Sequence, residues 1–223
     1  MRADIRVYGV LDPAATPGAD LSSLARLAVE GGATLLQYRD KLADGRIFVE
    51  RARAILAALA GCAVPLLIND RVDVALAAGA QGVHLGQDDI LPKDARSILG
   101  MSAIIGRTLN NEADVRQMAG EPIDYGCVSA VFPTLHKDYA DPPIGIEGLA
   151  RLASKSRQIA RDIPVGAIAG ITDANAPEVI AAGADGVAVI GAIFNQRDPI
   201  AATRRLRRIV EEALIIRARK ERR

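Results

Sequence analysis

Asp70 and Asp89 stand in Ile68-Asn-Asp-Arg71 and Gly86-Gln-Asp-Asp89, each just after a short apolar run. Two carboxylates so placed could converge on a hard divalent cation. Mg²⁺ takes roughly one or two carboxylates and completes its octahedron with phosphate oxygens and water. Arg39 and Lys41, in Gln37-Tyr-Arg-Asp-Lys41, and Lys137, in Phe132-Pro-Thr-Leu-His-Lys137, carry the opposite charge. They could neutralise a polyphosphate, arginine as a fork and lysine as a point charge. Gly170, Ile190 and Gly191 close apolar runs late in the chain, where backbone N–H groups can hold a monophosphate. These residue types also have plainer uses. Aspartates cap helices and turns, loop cations face solvent, and glycines make turns.

The elements that must position these groups are legible as alternating apolar runs. Candidate strands are Ile5–Leu11, Thr34–Tyr38, Pro65–Asn69, Gly82–Leu85, Ala103–Arg107, Ile123–Val128, Pro164–Ile168 and Gly186–Ile190. Their shortness and near-continuous aliphatic content suit parallel strands covered on both faces. Between them lie helical patterns. Ile47, Phe48, Ile55, Leu56 and Leu59 trace one face after Asp44, and Gly61 supplies a stop. Asp198-Pro199 starts a last helix with a stripe of Ile200, Leu206, Val210 and Leu214, and a basic end from Arg217 is expected to fray. Ala77-Ala-Gly-Ala-Gln-Gly-Val83 is echoed by Ala181-Ala-Gly-Ala-Asp-Gly-Val187, introducing strands four and eight.

Dividing 223 residues by eight gives about 28 per unit, close to the roughly 30 of a βαβ unit. The expected fold class is therefore α/β, a single (β/α)8 TIM barrel over residues 1–223, with a doubly wound open sheet as the alternative. In a barrel the site lies at the C-terminal ends of the strands. The segments there are Gln37–Lys41, Asn69-Asp70, Gly86–Asp89, Arg107-Thr108, Phe132–Lys137, Ala169–Thr172 and Ile190-Gly191. His84, inside a candidate strand, reads as a hydrogen-bonded barrel residue.

Composition removes other classes. The formal charge is +1, with 28 basic and 27 acidic side chains, three Phe, four Tyr and no Trp. That argues against nucleic acid, for which a basic face and stacking platforms are needed. The longest uncharged stretch, Ala54–Asn69, has 16 residues and is interrupted by Gly61 and Pro65, short of the roughly 20 that span a membrane. Cys62 and Cys127 have no metal-ligand spacing, and Met1–Arg6 has no apolar signal region. A cytoplasmic setting is expected. Neither a phosphate-loop sequence nor a dinucleotide fingerprint occurs, and no nucleophile–base pair is evident. The residues alone point to a barrel for phosphorylated ligands.

From Tyr8 to about Phe194 the chain resembles the thiamine phosphate synthase (thiamine-phosphate pyrophosphorylase) family. The matching pieces are Gln37-Tyr-Arg-Asp-Lys41, Ile68-Asn-Asp-Arg71, Gly82-Val-His-Leu-Gly-Gln-Asp-Asp89, Phe132-Pro-Thr134 with Lys137, and Gly170-Ile-Thr172. The resemblance implies a (β/α)8 barrel that joins hydroxymethylpyrimidine diphosphate to thiazole phosphate, giving thiamine phosphate and pyrophosphate by dissociative loss of pyrophosphate. It implies that Gln37, Tyr38, Arg39, Asp40, Lys41, Asn69, Thr108 and Lys137 contact the pyrimidine diphosphate, and that Arg39, Lys41 and Lys137 assist catalysis. Asp70 and Asp89 would hold Mg²⁺. Thr134, Leu135 and His136 would lie near the thiazole phosphate, with Gly170, Ile190 and Gly191 cradling its phosphate.

The chain departs from the family pattern at Gly126-Cys-Val-Ser-Ala130, at His136 where a threonine is usual, at Thr108 (after an unusual Arg107) and at Gly191, both usually serine. These changes gather on the thiazole side. Two other activities fit the scaffold: a thiazole tautomerase-like isomerase and a non-catalytic phosphometabolite-binding barrel. The oligomeric state is open, a homo-oligomer included.

Overall fold

The computed structural model describes residues 3–134 and 142–222. Eight parallel strands close into a barrel in sequence order: β1 (Val7–Leu11), β2 (Leu35–Tyr38), β3 (Leu66–Asn69), β4 (Gly82–Leu85), β5 (Ile104–Leu109), β6 (Tyr125–Val128), β7 (Val165–Ile168) and β8 (Gly186–Val189). Val7 pairs with Val187 and Gly9 with Val189, so β8 lies on β1 and the open-sheet alternative is excluded. Around the barrel run α1 (Leu21–Gly31), α2 (Gly45–Ala58), α3 (Val72–Ala78), α4 (Pro92–Leu99), α5 (Glu112–Met118), α6 (Gly145–Ile159), α7 (Ala176–Ala181), α8 (Gly191–Phe194) and α9 (Pro199–Glu221).

Period-2 alternation sorts the strand residues into two cores. Val7, Leu36, Leu66, Ile68, Val83, Ile105 and Val187 face outward and pack with Ala25, Ala28, Phe48, Ala52, Ile55 and Val210 of the helices. Tyr8, Val10, Leu35, Leu67, Ile104, Tyr125, Cys127 and Ala188 fill the barrel interior. Both faces are buried, which is why the strands read as unbroken apolar runs.

Two expectations are corrected. Strand five does not stop at Arg107: β5 runs to Leu109, paired with Val128, so Arg107 and Thr108 lie within the sheet. The charged run from Arg217 does not fray at that residue, since α9 continues through Glu221. Arg217 donates to the carbonyls of Ile180 (3.1 Å) and Ala184 (2.5 Å) and to Asp185 (2.7 Å). It thereby satisfies carbonyls at the end of α7, which a helix C-terminus otherwise leaves unpaired. The expected cap Asp198 accepts from the Ala201 N–H, and Asp44 likewise caps α2 by accepting from the Ile47 N–H, both at 3.0 Å. Among the described residues no helix is long and apolar enough to cross a membrane.

A repeated clamp ties the strands together at the N-terminal end of the barrel. Thr34, Gln81, Asp124 and Asp185 each precede an even-numbered strand. Each donates its N–H to the strand before, to Val7, Leu66, Ile105 and Val165 respectively (2.7–3.0 Å). Each side chain then accepts the N–H of that same residue, at 3.0, 2.8, 2.8 and 2.9 Å. Removing one acceptor strands a buried N–H at a cost of about 1–3 kcal/mol. Asp185→Ala is therefore expected to lower stability by about 2 kcal/mol in urea unfolding and leave substrate KM values unchanged, because it lies opposite the site.

Candidate active site

A cavity of about 650 Å³ opens at the C-terminal ends of the strands, within the usual range for a small-molecule site. Of the expected residues, Gln37, Arg39, Asn69, Thr108, Thr134, Gly170, Ile190 and Gly191 line it. Leu135, His136 and Lys137 lie outside the described residues. Tyr38 and Asp40 are placed elsewhere. Tyr38 packs edge-on against Phe48 of α2 and donates to Asp40 at 2.9 Å. Asp40 also accepts from the N–H groups of Leu42 (3.1 Å) and Ala43 (3.0 Å) and from Arg51 (2.8 Å). The two brace the loop that carries Arg39 and Lys41, away from the cavity.

On the β1–β4 side, charges gather in pairs. Arg39 binds Asp12 at the end of β1, and Lys41 binds Asp70. Asp12 is buried and fixes the direction of the Arg39 guanidinium. It was not among the residues expected from the sequence. Asp70 sits at a φ of 62°, a left-handed conformation that aspartate tolerates better than most residues. Its N–H is held by the His84 carbonyl at 2.8 Å. Asp89 accepts from the Gly86 N–H at 2.7 Å. Burial and the facing Asp70 carboxylate push its carboxyl up to about 6, against the pull of the Gly86 N–H and Lys41. A divalent cation between the two carboxylates would relieve that repulsion.

Arg107, unusual in the sequence, organises the loop that carries Asp89. Its guanidinium is buried and donates to the Gly86 carbonyl (2.5 Å) and Gln87 Oε1 (2.8 Å), while Gln87 donates to the Thr108 carbonyl (2.6 Å). Asp89 and Arg107 thus hold opposite ends of the same glycine. Among the described residues no group of three or more acidic, histidine or cysteine side chains could hold a metal, so a metal here would use two carboxylates and ligand oxygens.

On the β7–β8 side glycines meet the cavity, beside one ion pair in its lining, Arg205 with Asp173. Gly170 has a φ of 63°, and a Cβ there would lie 2.5 Å from the Pro133 carbonyl oxygen, so only glycine admits the two loops at this spacing. Asn175 steadies the turn, donating to the Gly170 carbonyl at 3.0 Å and accepting from the Thr172 N–H at 2.8 Å. Gly191 opens α8, whose first N–H groups have no partner within the helix. The floor is a buried hydrogen-bonded chain, Gln37–Tyr8–Tyr125–His84–Thr108. His84 is hydrogen-bonded inside the barrel as its position in a strand implied. Tyr8 and Tyr125 were read only as apolar strand residues.

A family model described as thiamine monophosphate synthase matches residues 7–193. The thiamine-phosphate synthase of Agrobacterium fabrum (strain C58) is 50% identical over 213 residues, 96% of this chain and 97% of the relative. That of Albidiferax ferrireducens is 43% identical over 209 residues, 93% of this chain and 92% of the relative. Thiamine phosphate pyrophosphorylase from Pyrococcus furiosus has a similar structure, with a TM-score of 0.82 at 35% identity, covering 96% of this chain and 98% of that one. With a match over nearly its whole barrel, the chain belongs to the thiamine monophosphate synthase family.

Proposed function

We propose that the chain is a thiamine phosphate synthase, a transferase that joins 4-amino-2-methyl-5-hydroxymethylpyrimidine diphosphate to thiazole phosphate and releases pyrophosphate. The observation that carries the reading is the polarity of the rim around the cavity. Paired cations and carboxylates stand at the ends of β1–β4, with Arg39 reaching the cavity, and Gly170 and Gly191 line it at the ends of β7 and β8. That division suits a diphosphate on one side and a monophosphate on the other.

The charge count around the first side fits a metal-bound diphosphate. Asp12, Asp70 and Asp89 oppose Arg39 and Lys41, so three carboxylates outweigh two cations until a divalent ion joins them. Asp70 and Asp89 would hold Mg²⁺, which would neutralise charge on the departing diphosphate. Arg39, aimed by Asp12, and Lys41 would bind its oxygens, with Lys137 as a further cation. Asn69 and Gln37 would orient the pyrimidine. Val10, Ile168, Ala188 and Val189 line the cavity with apolar surface. They would keep water from capturing the pyrimidine-methyl cation before the thiazole nitrogen does. No protein nucleophile is needed for such a route, which rests on positioning and electrostatics.

Both cysteines are free, in keeping with a reducing, cytoplasmic setting. The test is direct: purified protein with both substrates and Mg²⁺ should release pyrophosphate and form thiamine phosphate. A folded protein that forms no product overturns the reading. Isomerisation of thiazole phosphate alone, indifferent to chelator, would identify a tautomerase instead.

A further inference from the structure

The buried chain beneath the cavity has a direction, and its two ends read the pyrimidine. Gln37 Nε2 donates to the Tyr8 hydroxyl. The Tyr8 and Tyr125 oxygens are 2.8 Å apart, Tyr125 Oη is 2.9 Å from His84 Nδ1, and His84 Nε2 is 3.0 Å from Thr108 Oγ1. Burial raises both phenols far above their usual range, so each keeps its proton. A hydroxyl has one proton to give, and an unshared buried proton costs free energy.

The assignments then follow in order. Tyr8 accepts from Gln37 and so donates to Tyr125. Tyr125 accepts from Tyr8 and so donates to His84 Nδ1. His84 therefore carries its hydrogen on Nε2 and donates to Thr108. A histidine protonated on both nitrogens would leave the Tyr125 proton without an acceptor in this chain. Thr108, already accepting, keeps its own hydroxyl proton for the cavity, and Gln37 keeps Oε1 for it. Both residues line that cavity.

We infer that Tyr8, Tyr125 and His84 are positioning residues that lock Gln37 as an acceptor and Thr108 as a donor, and so select an amino-substituted over an oxo-substituted pyrimidine. A 4-aminopyrimidine offers an N–H for the Gln37 oxygen and a ring nitrogen for the Thr108 hydroxyl. A 4-oxopyrimidine offers a carbonyl beside a ring N–H, the reverse pattern. That ring would fit only if the Gln37 amide turned over and every proton in the chain moved with it. The identity of the ligand rests on the function proposed above, whereas the direction of the chain does not.

The chain contains two histidines, His84 and His136, so histidine ¹⁵N resonances can be assigned with one His136→Asn variant. The expected spectrum has His84 Nδ1 unprotonated and Nε2 protonated. The opposite tautomer, or a doubly protonated ring, overturns the inference. Binding measured by calorimetry, without thiazole phosphate, should favour the 4-amino over the 4-oxo diphosphate on the order of a hundredfold. In Tyr125→Phe the ratio should fall at least tenfold while the KM for thiazole phosphate stays unchanged, because Gln37 can then rotate. Tyr8→Phe should do the same and serves if Tyr125→Phe does not fold. Unchanged ratios in the folded variants overturn the inference. A protein without synthase turnover that still shows the expected tautomer and ratio supports the chain and overturns the activity. An active enzyme with the opposite tautomer does the reverse.

Discussion

Asp89→Asn is expected to lower kcat/KM for pyrophosphate release by on the order of 10³ while the metal-free protein becomes slightly more stable. The two effects share one cause. Asp89 is partly buried and faces Asp70, and its carboxyl is pushed up to about 6 by burial and by that neighbour. Holding both groups ionised near neutrality costs folding free energy, which solvent screening of partly exposed groups reduces. Asparagine keeps an oxygen for the Gly86 N–H, now at 2.7 Å, and removes the repulsion. Recovering about 1 kcal/mol would raise the melting temperature by roughly 2–4 °C in a chain of this size. If the proposed site holds Mg²⁺, the same change removes one of its two proposed carboxylate ligands, and with it charge neutralisation for a departing diphosphate. Three measurements separate these effects: pyrophosphate release over a Mg²⁺ titration, Mg²⁺ binding to the free protein, and thermal unfolding with and without metal. Added Mg²⁺ should stabilise the parent protein and not the variant. Full turnover in Asp89→Asn would remove Asp89 as a metal ligand.

The barrel was legible in the sequence because parallel strands are buried on both faces and so appear as short aliphatic runs at regular intervals. The ends of those runs located the cavity residues Gln37, Arg39, Asn69, Thr108 and Gly170. What escaped notice depends on contacts between distant segments. Arg107 looked like a loop cation and the end of a strand; burial is possible because the Gly86 carbonyl and Gln87 meet its guanidinium. Arg217 looked solvated, yet it closes the end of α7. Asp12 was not among the expected site residues, yet it aims Arg39. Tyr38 and Asp40 are a different case, for the signal was present. Adjacent strand side chains face opposite sides, so Gln37 facing inward turns Tyr38 toward α2, where it meets Phe48.

Gly186→Val is expected to leave no cooperatively folded barrel, or to cost more than about 3 kcal/mol if a fold survives. A Cβ at Gly186 would stand 1.8 Å from the Ile5 carbonyl oxygen and 2.4 Å from its carbon. Those are backbone atoms leading into β1, and β1 is the strand that β8 must reach to close the ring. They cannot swing aside as a flexible side chain would. The echo of Ala77–Val83 in Ala181–Val187 gains its physical meaning here. Gly82, the equivalent position, would place its Cβ 1.9 Å from the Ile104 carbonyl oxygen at the start of β5. Both glycines let the neighbouring strand's backbone pass against the first residue of β4 or β8, so Gly82→Val should fail in the same way. Gly120→Ala is the control. Its nearest neighbour would be 3.9 Å away and its φ is not positive, so the change should alter stability by less than about 1 kcal/mol. Urea unfolding followed by circular dichroism distinguishes the three. A stable Gly186→Val protein would mean that the β8–β1 seam can widen, and that closure tolerates a side chain where the structure leaves no room for one.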